Sequence, residues 1–447
     1  MHRTSKEINV DLKKTTRRAL VAVAAGVAAV SLLAACGTGP GGDPDAVSYW
    51  YLTGQPAEDV RAGAIARFNE ANPETPIVGT SFANEVYPTK LRTAMGADQG
   101  PTLVWGWGGG GLRDFVENGE VADLTSFVEA NPELRDRFFD SAWDTGTVDG
   151  KIYAIPGETT STVVLYYNKQ VFEDAGVEAP ETWDDVLDLV DVFTAQGIAP
   201  FALAGQSRWT EMMYVEYMVD RIGGSQIFQD VLDGKEGAWS DPAVLDALTK
   251  LQDLVKAGGF VDGYSSIAPD SGADLALLYT GKAAMLVQGT WTYGSFSEDG
   301  GDFVANGDLG YTSFPIVEGG AGDPSMVVGS PAQYISISSD ASDEQRAVAE
   351  EFIATTWLDE TEAEGWVSTG QVPVLKGSDE LFAGSDKEDF VSYLYTTASE
   401  ATTFQQHWDQ ALSPTATEVM LDSISKLFQL DITPQQWVDT MNGVIGQ

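Results

Sequence analysis

Six of the twelve tryptophans, Trp50, Trp107, Trp209, Trp291, Trp366 and Trp408, read as loop residues or neighbours of glycine, where an indole face can stay open. An indole is a rigid apolar plate that is ordered at small entropic cost. Sugar rings expose C–H patches that lie on such plates, while Asn, Gln, Asp and Ser side chains read hydroxyls by paired hydrogen bonds. Trp143, Trp183, Trp239, Trp357 and Trp437 read instead as packing residues, several by helical spacing or cap position.

Other chemistry is weaker. Gly106-Trp107-Gly108-Gly109-Gly110-Gly111 satisfies G-x-G-x-x-G between a strand and a helical stretch, the setting of a dinucleotide-binding turn. A glycine run meets that pattern by composition alone, and a glycine-rich turn at the rim of a cleft accounts for it better. Gly205-Gln206-Ser207-Arg208-Trp209 begins like a nucleophile elbow but lacks the second glycine, and a serine triad would have to enlist His407. Gly281-Lys282-Ala283 breaks the ATP-binding pattern, so ATP hydrolysis is expected on another chain. A glycosidase needs only two carboxylates; acids are abundant here, but none stands out by context. Asp299, Asp302 and Asp308 read as a solvated loop, since their spacing is not that of an EF-hand. One Cys and two His exclude an intrachain disulfide and a thiolate-rich metal site. No cofactor is expected.

These residues sit in a chain of 447 residues with 25 basic and 67 acidic side chains, net −42. That charge repels nucleic acid and anionic lipid headgroups. At 43% hydrophobic residues the chain can build full cores, and its length implies two domains or two lobes sharing a cleft. Residues 1–18 are basic, and Ala19–Leu33 is an apolar run too short to span a bilayer; together they read as an export signal. The run ends at Leu33-Ala34-Ala35-Cys36, which resembles the bacterial lipobox and implies cleavage before Cys36 and lipidation of its thiol. Thr16-Arg17-Arg18-Ala19-Leu20-Val21 resembles a twin-arginine motif. Without its first 35 residues, which hold six basic and two acidic side chains, the chain keeps 19 against 65, net −46. Residues 36–46 read as the lipidated Cys and a flexible tether.

The fold class is α/β. Strands are expected at Val47–Tyr51, Thr102–Trp105, Val163–Tyr167, Met285–Val287 and Tyr334–Ile337. Thr182 with Asp185 opens a helix whose apolar face is Trp183, Val186, Leu187, Val190 and Phe193. Asp241-Pro242 opens another with Val244, Leu248, Leu251 and Val255 inward, Ser342 with Gln345 a third, and Thr433-Pro434 with Gln436 the last.

Four ordered segments carry a family resemblance: Phe68-Asn69-Glu70-Ala71-Asn72-Pro73; Asp149-Gly150-Lys151-Ile152-Tyr153-Ala154-Ile155-Pro156; Tyr166-Tyr167-Asn168-Lys169 leading into Phe172, Gly176, Pro180 and Thr182-Trp183-Asp184-Asp185; and Gly281-Lys282-Ala283-Ala284-Met285 followed by Gly289-Thr290-Trp291. Across Val47–Gln447 the chain resembles the extracellular solute-binding proteins of ABC sugar importers, the maltose-binding-protein-like family. Among these it is most similar to actinobacterial binders of β-linked disaccharides such as xylobiose or diacetylchitobiose. The resemblance implies a two-lobed periplasmic-binding-protein-like fold of the class II type, with ligand in the cleft between the lobes. It implies an N-terminal lobe of residues 47–160 plus 326–366 and a C-terminal lobe of 164–315 plus 373–447. The hinge crossings then fall near 161–164, 315–326 and 366–373.

By position, Trp291 matches the family's stacking aromatic and Trp209 falls close to another. Thr160 or Ser161 falls beside the hinge, Gln55 follows the first strand, and Trp107 and Gly108 face the cleft. Asn84, Ser330, Trp366 and Trp408 complete the implied ligand set. The implied protein is not an enzyme. It is a monomeric receptor, held outside the membrane by lipidated Cys36, that captures an oligosaccharide and delivers it to a permease and ATPase on other chains. Two alternatives stay open: an extracellular glycosidase, and a binder of peptides or glycerol phosphate-type solutes using Arg208. For Cys36 the expected outcome is incorporation of a labelled acyl chain into the full-length protein in cells. Cys36→Ser should abolish that labelling.

Overall fold

The computed structural model describes residues 46–446, so the expected export segment, Cys36 and residues 36–45 of the tether lie outside the described residues. Among the described residues no helix is long and apolar enough to cross a membrane. The strands there are β1 (Val47–Leu52), β2 (Ile77–Phe82), β3 (Leu103–Gly106), β4 (Thr147–Val148), β5 (Lys151–Ile152), β6 (Ile155–Gly157), β7 (Thr159–Asn168), β8 (Ala199–Phe201), β9 (Ala283–Gly289), β10 (Leu309–Thr312), β11 (Val327–Ser330), β12 (Gln333–Ile337), β13 (Val372–Pro373) and β14 (Phe404–Gln406). They form two main sheets and the small β4–β5 pair. The first runs β2-β1-β3-β12-β6; the second runs β14-β11-β7-β9-β8, with β10 and β13 also pairing with β7.

Alternation along β7 explains why the second sheet is covered on both faces. Val163 and Leu165 enter one core with Trp183, Trp239 and Trp437. Val164 and Tyr166 enter a second with Phe296 and Phe390. A strand buried on both sides reads as an unbroken apolar run, as Val163–Tyr167 does. The first sheet has its own core around Tyr49, Trp105, Trp143 and Trp357. All five tryptophans expected to be packing residues are therefore buried. Each expected strand is present, and the expected caps form: Thr182–Asp185, Ser342–Gln345 and Thr433–Gln436 are capping boxes, and Asp241 accepts from the Ala243 N–H. One helix face is rotated from expectation. Leu187 is 38% exposed while Leu189 is buried, because Leu187 lies one residue, about 100° of turn, beyond Val186. In the next helix Leu254 rather than Val255 is fully buried.

The chain passes between the sheets three times. The first passage is at Glu158, between β6 and β7, slightly before the expected 161–164. The second is at Pro331–Ala332, between β11 and β12, and not within 315–326. Residues 315–326 instead fold back on the helix Trp209–Gly223, where Arg221 donates to the carbonyls of Asp323 and Met326 at 3.2 and 3.1 Å. Residues 327–330, expected in the first lobe, thus belong to the second sheet. The third passage lies between the helix Glu360–Ser368 and β13, within the expected span, although Val374 beyond it still packs in the first core.

The first passage is held by a buried ion pair. Arg61, in the helix Ala57–Ala71, donates to both Glu158 oxygens at 2.7 and 2.8 Å and to the Leu52 carbonyl at 3.2 Å. The Trp105 indole N–H donates to the same carboxylate at 2.9 Å. The guanidinium also lies 5.3 Å from the rings of both Trp105 and Trp366. Arg61→Ala would leave a buried carboxylate without its counter-charge, and should cost about 3–5 kcal/mol in urea unfolding. Arg113→Ala, which breaks the exposed 3.1 Å pair with Asp149, should cost less than about 1 kcal/mol.

Candidate functional site

In the first sheet β1, β2 and β3 run parallel, and the crevice outside the carboxyl ends of such strands is where ligands bind in open α/β sheets. Gln55, Asn84 and Trp107 follow those three ends. Gln55 is exposed and donates to Asp59 at 3.0 Å; Asn84 is half-buried. Trp107 is half-buried, edge-on to Trp105 with centroids 4.7 Å apart. Gly108 has φ +72°, and a Cβ there would meet the Thr145 carbonyl oxygen at 2.5 Å, so this turn needs glycine.

The second sheet offers the matching wall. Trp291 stands two residues after the end of β9, and its ring lies against Gly289, where any side chain would collide with it. Trp209 opens the helix Trp209–Gly223. The two half-buried rings stand 6.0 Å apart, inclined by 57°. The Trp209 indole N–H is buried without a partner in the chain. His407 follows β14, with its ring centroid 6.3 Å from that of Trp291. Its Nδ1 is 3.0 Å from Oε2 of Glu216, which lies two turns along the helix from Trp209. Burial works against a charged imidazole here, but the charge and hydrogen bond of Glu216, with Asp409 adding to them, overcome it and raise the pKa of His407. Burial pushes Asp409 up to about 6.

Ser161 and Ser330 are paired across β7 and β11, and both are buried and already bonded within the chain. Ser161 Oγ accepts from Gln333 at 3.4 Å, and Ser330 Oγ donates to Gln410 at 2.9 Å. The Thr160 hydroxyl donates to the Pro331 carbonyl at 3.3 Å. These three brace the passages between the sheets. Two expected ligand residues are core residues instead. Trp366 is 1% exposed on the Arg61 guanidinium; Trp408 is 0% exposed, stacked on Phe228 at 5.0 Å. Trp50 is also buried, against Phe82 at 4.8 Å. Arg208 is engaged by Glu418 at 3.2 Å.

The two walls touch, and the side chains that make the contacts, Ser207, Glu85, Gln406 and Ser295, were not singled out for binding. Ser207 Oγ donates to Glu85 at 2.6 Å, Gln406 Nε2 donates to the Trp107 carbonyl at 2.8 Å, and Ser295 Oγ donates to the Gln55 carbonyl at 3.4 Å. The polar run Gln405-Gln406-His407 beside a tryptophan was the signal available for the second of these. The expected glycine-rich rim is a contact too: a Cβ on Gly109 would meet the Gln410 carbonyl oxygen at 2.6 Å, and one on Gly110 the carbonyl oxygens of Ala411 and Leu412. Among the described residues no group of three acidic, His or Cys side chains is placed to hold a metal ion.

Trp107, Trp209 and Trp291 thus follow strands β3, β8 and β9 of two sheets that three passages join. The model for bacterial extracellular solute-binding proteins matches residues 53–363. The chain belongs to that family. Among solved structures, this solute-binding protein is similar to one from work on xylan utilization by the thermophilic bacterium Caldanaerobius polysaccharolyticus. They share 30% identity and a TM-score of 0.80, over 90% of this chain and 100% of that one. A chitin oligosaccharide binding protein is 25% identical with a TM-score of 0.78, over 89% and 98%. A probable sugar-binding periplasmic protein of Mesorhizobium japonicum is 29% identical over 56% of this chain and 58% of its own. The chain spans about half the length of the curated relatives it matches, 57% and 36% of the first two. The mixed α/β architecture with two lobes is that of these structures.

Glu211, in the first turn of the Trp209 helix, adds an electrostatic feature. It is fully buried and neither carboxylate oxygen has a partner in the chain. Burial pushes it from 4.5 up to about 8, with Arg208 pulling modestly the other way. Unfolded, it releases its proton near 4.5; folded, near 8. Between those values the folded protein holds the extra proton, so stability falls as pH rises. Glu211→Gln should flatten that fall, gaining about 1–3 kcal/mol over wild type above pH ~8 and little at pH ~5 in urea unfolding.

Proposed function

We propose that this solute-binding protein captures an oligosaccharide between its two walls and hands it, without breaking a bond, to the permease and ATPase of an ABC importer. The observation that carries the reading is the Trp209–Trp291 pair, two half-exposed indoles 6.0 Å apart at the carboxyl-end edge of the second sheet, with Trp107 on the opposite wall. Indole plates gain about 0.5–1.5 kcal/mol beyond burial from well-placed ring contacts, and Gln55, Asn84 and Gln406 supply hydroxyl-reading groups around them. The names of the similar proteins, a sugar-binding periplasmic protein and a chitin oligosaccharide binder, support the ligand class. The 30% identity with the structure from xylan utilization supports a β-linked ligand such as xylobiose or a longer xylo-oligosaccharide.

In this reading the passages at Glu158, Pro331–Ala332 and Thr369–Gln371 act as the hinge. Closure is favoured by ligand because only the closed form contacts it from both walls. The lipidated Cys36 keeps the acidic body at the outer face of the membrane, which its charge alone would not do.

A thermal-shift panel of xylobiose, xylotriose, cellobiose, diacetylchitobiose and maltose tests the reading. A sugar at 100 times its dissociation constant should add ~2.7 kcal/mol of stability. Trp291→Ala should weaken calorimetric binding of the stabilising sugar by at least ~1 kcal/mol, and Trp209→Ala should weaken it in the same direction. Trp408→Ala should cost stability instead. If no sugar shifts the melting curve, or if a chromogenic xyloside is hydrolysed by homogeneous protein, the receptor reading is wrong.

A further inference from the structure

His407 is the one histidine among the described residues, 3% exposed, beside a Glu216 that is 0% exposed. A buried carboxylate–imidazole pair is costly unless its hydrogen-bonding positions are used. Glu216 uses both oxygens, one on Nδ1 of His407 at 3.0 Å and one on the Trp408 N–H at 2.6 Å. The main chain of His407 is fixed as well, its N–H donating to the Gly329 carbonyl at 3.0 Å. Nε2 has no partner among the described residues. The surroundings of that ring are those of the candidate site: Trp291 at 6.3 Å, inclined by 66°, and Gln406, whose amide bonds the Trp107 carbonyl across the walls. A buried hydrogen-bonding atom left without a partner is costly, and one left so beside a half-exposed indole points to a ligand.

We propose that His407 is a sugar-reading residue: Glu216 fixes its Nδ1 side, and Nε2 hydrogen-bonds a hydroxyl of the sugar stacked on Trp291. This rests on the sugar-binding reading above and adds the residue that orients the stacked ring. The Trp291 indole lies over a glycine and is only half-buried; because Nε2 is buried, contact with it requires a ring entering beside Trp209 to displace neighbouring groups. Glu216 and Asp409 are the acidic groups acting on the imidazole, and both raise its pKa against the effect of burial. Glu216 is a positioning residue, since it acts on the ligand only through His407.

The test uses the full chain labelled with ¹⁵N, the His407 imidazole signals being those that vanish in His407→Gln. Xylobiose and diacetylchitobiose are added to saturation, as judged by calorimetry. The expected result is a shift of the Nε2 resonance with Nδ1 still bonded to Glu216. His407→Phe should weaken binding by about tenfold or more, the loss of a buried hydrogen bond, and Glu216→Gln by less. A saturating sugar that leaves Nε2 unmoved, or a folded His407→Phe protein that binds within about twofold of wild type, overturns this role and leaves the sugar-binding reading standing. If His407→Phe does not fold, the resonance measurement on the wild-type chain decides. If neither sugar, nor any other in the panel, binds the wild-type protein, both readings fall together.

Discussion

The bidentate contact between Arg61 and Glu158 is the constraint on which the site's geometry depends. Glu158 is the single residue between β6 of the first sheet and β7 of the second, and it adopts φ +53°, a conformation that non-glycine residues rarely take. Its carboxylate is pinned to the helix Ala57–Ala71 by Arg61 and to β3 by the Trp105 indole. β3 leads into Trp107, and β7 begins with the hydroxyl residues Thr159, Thr160 and Ser161. One buried carboxylate thus sets the first wall relative to the central strand of the second sheet. A hydrophobic replacement could match its volume but not its three directed hydrogen bonds, which is the use of buried ion pairs that specificity arguments support.

That same contact explains why Trp366 was misread from the sequence. Gly365 beside it suggested a loop and an open indole. The residue lies within the helix Glu360–Ser368, where Gly365 lets Val60 of the helix Ala57–Ala71 approach closely, and the indole covers the second face of the Arg61 guanidinium. Trp408 failed for a related reason. Its one-turn helix begins just after β14, so the adjacent residues His407 and Trp408 face opposite ways, one toward Trp291 and the other into the core with Phe228 and Trp239. Local composition does not decide which neighbour turns outward.

What could be read directly was whatever is local. Capping boxes depend on residues three apart, and the apolar run of β7 on its own alternation, so both were legible. The second passage between the sheets was not, because residues 315–326 are placed by Arg221, about a hundred residues earlier. The tryptophans proposed to bind sugar fall between these cases. Trp209 and Trp291 were expected from the family's spacing, while their 6.0 Å proximity comes from two strands, β8 and β9, that are parallel neighbours in the sheet though some 80 residues apart.

The glycine run from Gly106 to Gly111 shows how far a motif can be taken. Its form satisfies a dinucleotide fingerprint because glycines permit a backbone to approach a partner closely. Here the partner is the carbonyl-rich end of the helix Trp408–Ala411: the oxygens of Gln410, Ala411 and Leu412 crowd Gly109 and Gly110. A pyrophosphate needs N–H groups directed at it, and three carbonyl oxygens in that space would repel it. The run therefore serves contact between the two walls, next to the Gln406–Trp107 hydrogen bond. Side chains at these positions would force the walls apart. The glycines thus hold the two walls at their observed separation, and the motif specifies a distance of approach rather than the identity of what approaches.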